Sequence, residues 1–129
     1  MQTNPSQAYV ETQANTAIMD ASPHRLIELL FDGAQDKLSV AKGAAERGDR
    51  KVRAEAIAKV MEIVSELQGV LDMEAGGEIA ERLEALYTYI NTSLAAANLT
   101  GSVEKLSEAS ALLSEVQEGW AGIKNHRKA

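Results

Sequence analysis

Leu71-Asp72-Met73-Glu74-Ala75-Gly76-Gly77-Glu78-Ile79-Ala80 lies near the middle of the chain, between two long amphipathic segments. Glycine reaches positive φ without a Cβ clash, so the adjacent Gly76 and Gly77 predict that one helix ends here and the next begins. Asp72 and Glu74 precede the break. Glu78 follows it, in the first turn of the next helix, where a negative charge complements the helix dipole. The chain is therefore expected to fold back on itself at this corner.

Working outward, the segment before the corner is a helix from about Arg50 to Leu71 or Met73. Before that, Gly48-Asp49 stops one helix and caps the next. Ser22-Pro23 is a strong helix start, with Ser as N-cap and Pro at the first helical position. The helix it opens runs to about Arg47, with Leu26, Ile27, Leu30, Ala34, Leu38, Ala41 and Ala45 on one face. After the corner, a helix runs from about Glu78 to Asn98 with Ile79, Leu83, Leu86, Ile90, Leu94 and Ala97 inward. Thr100-Gly101-Ser102 is the last turn, with Ser102 or Thr100 as cap. A final helix runs from about Val103 to Lys124 with Leu106, Ala109, Leu113, Val116 and Trp120 inward.

Helices of about 20 to 25 residues are roughly 30 to 37 Å long. Short links between long helices make antiparallel neighbours. The expected fold is all-α: an antiparallel up-down-up-down four-helix bundle over residues 22–124. A partly extended N-terminal segment, 1–21, precedes it and a basic tail, 125–129, follows.

A chain of 129 residues is long enough to bury a core as one domain, and it has no cysteine to supply disulfides or thiol chemistry. Its net charge of -6 and pI near 4.9 disfavour nucleic acid and anionic membranes as partners. No run of about 18 apolar residues is present to insert in a membrane. The polar start, Met1 to Gln7, lacks the basic and apolar regions of a secretory signal, so the expected location is cytoplasmic.

The second helix carries more apolar surface than a bundle stripe needs. Ala56, Ile57, Val60, Val64, Leu67 and Leu71 span roughly 100° of its circumference. Val52, Ile63 and Val70 flank that stripe on one side and Met61 on the other. Tyr87 and Tyr89 flank the stripe of the third helix, and Leu29 and Val40 lie off the core face of the first. Two readings are equally open: an asymmetric bundle whose flanks pack on loops or on the N-terminal segment, or a groove that receives a partner segment. The candidate groove residues are Val52, Ile63, Val70, Ile79, Leu83, Tyr87 and Ile90. Tyr9 and Val10 are candidates to dock on the bundle from the N-terminal segment.

Catalytic chemistry finds little support. The two histidines, His24 and His126, make no Glu-x-x-His pairs of the di-iron type. His24 and Glu28 are one turn apart but make a poor metal site alone. No Gly-x-x-x-x-Gly-Lys phosphate loop is present, and Asp72, Glu74 and Glu78 lack the alternation of a calcium loop. The expectation is a non-enzyme with no cofactor and no metal.

Several motifs carry a specific resemblance in order and spacing. Ala21-Ser22-Pro23-His24-Arg25-Leu26-Ile27-Glu28-Leu29-Leu30-Phe31-Asp32-Gly33 resembles the Ala-Ser-Pro-x-x-Leu-Ile-x-x-Leu-(Tyr/Phe)-Asp-Gly signature of the flagellin-specific export chaperones, the FliS family. Leu71-Asp72-x-Glu74-x-Gly76-Gly77-Glu78-Ile79-Ala80-x-x-Leu83 is similar to that family's second signature. Leu86-Tyr87-x-Tyr89, Leu94-x-x-Ala97-Asn98 and Trp120 follow at the expected distances.

The resemblance covers about Tyr9 to Trp120. It implies a cytoplasmic chaperone that binds the C-terminal segment of flagellin, prevents premature polymerisation and aids type III export. It further implies engagement of the export-gate membrane protein and, in some members, of an anti-sigma factor. It also implies an N-terminal segment, with Tyr9 at the matching tyrosine, that covers part of the client site. The chain departs from the family pattern at Thr88, within Tyr-Asp-Tyr, and at Asn91-Thr92-Ser93, where basic residues often stand. Two other readings are kept: a histidine phosphotransfer domain using His24, and a structural bundle that self-associates through Val52, Ile63 and Val70, the expected state being monomer or weak homo-oligomer.

Overall fold

The computed structural model describes residues 22–128, with side chains through Gly122. Four helices follow in order: α1 Pro23–Arg47, α2 Arg50–Gly69, α3 Met73–Thr100 and α4 Val103–Lys128. Each packs on two neighbours in a ring. α1 lies against α2 and α4, and α3 completes the square against the same two. This is the expected antiparallel four-helix bundle. The N-terminal segment, with Tyr9 and Val10, lies outside the described residues.

Local capping explains most boundaries. The Ser22 hydroxyl accepts from the Arg25 N–H at 3.1 Å, with Pro23 in the first turn. Gly48, at φ 73°, closes α1 in the left-handed conformation, and the Asp49 carboxylate accepts from the Val52 N–H to open α2. Gly101, at φ 72°, closes α3, and the Ser102 hydroxyl accepts from the Lys105 N–H at 3.2 Å, so Ser102 rather than Thr100 is the cap.

The central corner differs from its sequence reading. α2 stops at Gly69, with Val70 as its C-cap, and the link is Val70-Leu71-Asp72. The Asp72 carboxylate accepts from the Ala75 N–H at 2.9 Å and caps a turn that begins at Met73. The fold-back therefore comes before the glycine pair, which still separates a first turn from the long helix that restarts at Glu78, as the sequence predicts. Gly77, at φ 52° and ψ -129°, kinks the helix after its first turn. Gly76 permits the close return beyond the kink: a Cβ there would lie 2.7 Å from Ala80 Cβ. A carboxylate cap three residues upstream of a backbone N–H defines a start more sharply than a glycine defines a stop. At the other end, α4 continues to Lys128, so 125–128 extend the helix instead of forming a separate tail.

Polar pairs set the register of three seams. Gln35 donates to the Ser110 carbonyl and the Ser114 hydroxyl across α1 and α4. Arg53 donates to the Asn98 carbonyl across α2 and α3 at 2.8 Å, and Tyr89 donates to Glu108 across α3 and α4 at 2.5 Å. The core between the helices includes Phe31, Leu38, Ile57, Leu67, Ile90, Leu94, Leu106 and Leu113, all fully buried. Near the Arg53–Asn98 end the buried residues include Ala41, Ala44, Ala56 and Ala97, which let the helices approach closely.

An apolar groove at the open end of the bundle

At the other end of the bundle the first half of α1, the last turn of α2, the first half of α3 and the end of α4 come together. They enclose a groove of about 1050 Å³. Its walls are mostly apolar: Leu26, Leu29 and Leu30 from α1, Leu67 from α2, Leu83 and Tyr87 from α3, and Val116 and Trp120 from α4. α1 and α3 are diagonal in the ring, so their facing ends do not close on each other. Two large apolar side chains stand open on the rim, Val70 at 59% exposure and Ile79 at 72%.

One corner of the mouth is clasped. His24, in the first turn of α1, stacks on Trp120 of α4 with ring centroids 4.6 Å apart and planes 12° from parallel. The Trp120 indole N–H donates to the His24 carbonyl at 3.1 Å. The His24 ring nitrogens face two oxygens, Nδ1 to Glu28 Oε1 at 3.0 Å and Nε2 to the Trp120 carbonyl at 2.9 Å. A neutral imidazole donates to only one of them, whereas a charged ring donates to both. His24 is thus a tie between α1 and α4, a role its position near a cap did not disclose.

Of the seven candidate groove residues, the fold brings Val70, Ile79, Leu83 and Tyr87 together on the groove. It does not bring Val52, Ile63 or Ile90 to the lining. Val52 lies at the far end of α2, roughly 20 Å along the helix from Glu66. Ile63 is half-buried and packs against the core beside Gly33. Ile90 is fully buried. Conversely Ile79, expected inward, is on the rim, and Tyr87, expected as a flank, is 3% exposed. Burial holds the Tyr87 hydroxyl neutral, raising its pKa from 10.0 to about 12. The α1 wall lies outside the candidate set: by helical spacing Leu26 and Leu30 read as core-face residues and Leu29 as off that face, yet all three line the groove.

The chain matches the family model described as "Flagellar protein FliS" over residues 4–127. It is 42% identical over 118 residues to the flagellar secretion chaperone FliS of Salmonella typhimurium, covering 91% of this chain and 87% of that one. Against the flagellar secretion chaperone FliSB of Pseudomonas aeruginosa the identity is 41% over 115 residues, covering 89% and 91%. The Bacillus subtilis flagellar secretion chaperone FliS is 27% identical over 126 residues, covering 97% and 90%. This chain belongs to the FliS family.

Within this FliS-family bundle, the positions that depart from the family pattern are put to structural use. Thr88 accepts from the Gln68 side-chain amide at 3.0 Å. Asn91 donates to the Met61 carbonyl and the Ser65 hydroxyl at 3.3 and 3.2 Å. These bonds lace α2 to α3 along a shallow trough outside the groove. The apolar groove does not draw on them.

Proposed function

We propose that this chain is a flagellar export chaperone whose groove holds the C-terminal segment of flagellin, keeping it from polymerising before type III export. Membership of the FliS family and the names of its relatives support the chaperone role. The observation that carries the site is the groove itself, with Val70 and Ile79 open on its rim. A disordered client pays ordering entropy when it folds on its chaperone, so its affinity comes from apolar area spread along a groove. The four helix ends offer such an area.

Residues 1–21 join the bundle at Ser22, beside the groove mouth. A chain of that length spans up to about 70 Å when extended, ample to lay Tyr9 and Val10 over the apolar wall when no client is bound. Deleting residues 1–17 is expected to leave folding intact and change client affinity. The resemblance also points to the export-gate membrane protein and an anti-sigma factor as partners, and to action in the cytoplasm. No helix among the described residues is long and apolar enough to cross a membrane. A phosphorelay role for His24 is disfavoured, because both ring nitrogens already face oxygens and the ring is stacked on Trp120.

The test is titration calorimetry with the C-terminal segment of the same organism's flagellin. One-to-one binding is expected. It should be lost in Val70→Asp, Ile79→Asp, a variant whose exposed positions leave the fold intact by circular dichroism. Binding retained in that variant would move the site elsewhere. Absence of binding to the parent chain would remove flagellin as the client.

A further inference from the structure

The groove is apolar on its walls, and among the described residues the carboxylates at its edge face no Lys or Arg. Asp36 of α1 and Glu66 of α2 line it beside the α1–α2 seam. The seam is packed there: a Cβ added at Gly33 would meet Ile63 Cδ1 at 3.6 Å, ordinary contact distance, so the two carboxylates flank a closed apolar seam. Asp36 and Glu66 are both exposed, and neither makes an ion pair among the described residues. The third carboxylate on the rim, Asp32, already accepts from the Gln117 amide at 2.8 Å.

Two exposed carboxylates beside an apolar trough repel an acidic occupant and attract a cationic one. We propose that Asp36 and Glu66 select the occupant of this groove. The segment that binds brings a Lys or Arg next to its apolar anchors, and that cation sits over the α1–α2 seam between the two carboxylates. This rests on the flagellin reading above and adds to it the chemical feature by which the segment is recognised. An apolar helix of the wrong charge would fit the walls and still be rejected at the seam.

The experiment titrates the full chain with the flagellin C-terminal segment at about 50 mM and about 1 M NaCl, beside D36N/E66Q and D36K/E66K. Exposed pairs contribute modestly, so at low salt D36N/E66Q is expected to bind about three- to tenfold more weakly than the parent, and D36K/E66K more weakly still. At about 1 M salt the screening length falls to about 3 Å and the parent and D36N/E66Q should converge. A segment whose Lys and Arg are replaced by Gln should bind the parent and D36N/E66Q equally. If D36N/E66Q matches the parent at low salt while the parent binds the unaltered segment, the carboxylates select nothing and this inference fails alone. If the parent does not bind the segment at all, the flagellin reading fails and the inference falls with it. Both positions are exposed, and circular dichroism of the variants shows that a change in affinity is not a change in fold.

Discussion

At the scale of single residues, two positions carry consequences that can be measured directly. Gly76→Ala places a methyl 2.7 Å from the buried Ala80 Cβ, and neither atom can rotate away. The kink must shift, and a destabilisation of about 1–3 kcal/mol is expected in urea unfolding. Gly119→Ala is the contrast: its Cβ meets nothing within 4 Å in the middle of α4, so a small stabilisation, about 0.5–1 kcal/mol, is expected. Tyr87 gives a pH dependence. Its folded pKa, near 12, lies above the unfolded value of 10.0, so between those values the unfolded chain has released a proton that the folded one retains. Stability is therefore full below pH 10 and falls as the pH rises towards 12, by an amount on the order of 2 kcal/mol. Tyr87→Phe should remove that part of the alkaline loss. The Tyr89 pKa is raised too, by its hydrogen bond to Glu108 and then by that carboxylate's charge, so the Tyr87→Phe comparison is repeated in a Tyr89→Phe background to separate the two.

At the scale of elements, the decisive joint is the one between the first turn of α1 and the end of α4. Trp120 fills part of the groove wall, stacks on His24 and donates to its carbonyl. Trp120→Phe keeps most of the apolar contact but removes the indole N–H, and should cost about 1 kcal/mol. Trp120→Ala also removes the filling of a half-buried site and should cost about 2 kcal/mol or more. His24→Ala leaves Trp120 in place, and since the chain has one tryptophan, its emission reports the joint without interference. Loss of the stacked ring should shift that emission to the red. An unchanged spectrum would mean that the stack does not order this end in solution. Helix ends were largely legible in the sequence because Ser22-Pro23, Gly48-Asp49 and Gly101-Ser102 act through bonds three residues away. The fold-back lies at 70–72 rather than at the glycine pair because the Asp72 carboxylate caps an extra turn ahead of the break at Gly77.

At the scale of the whole molecule, the bundle is closed at one end by small residues and open at the other around large ones. Amide exchange should be slow along α2 and α3 near Ala56 and Ala97, and faster around the corner at Val70–Asp72. Client binding should slow exchange on the first halves of α1 and α3 together. It should also carry a negative heat-capacity change, the mark of apolar surface leaving water. Protection confined to one helix would contradict a groove assembled from four.

Hydrophobic periodicity and capping residues determined four helices, their order, their antiparallel packing and the excess of apolar surface, because each follows from contacts within a few residues of chain. The motifs determined the family for the same reason: they are read in register along the sequence. Which apolar residues form the groove was decided by the tertiary structure. A helical projection gives the angle of a side chain about its own axis, and Val52, Ile63 and Val70 share that angle. It does not give the height at which the diagonal helices part, and only Val70 lies there. Ile79 and Tyr87 exchanged their expected places for a related reason: the kink at Gly77 sets where the first turns of α3 face, and burial of Tyr87 depends on neighbours from other helices.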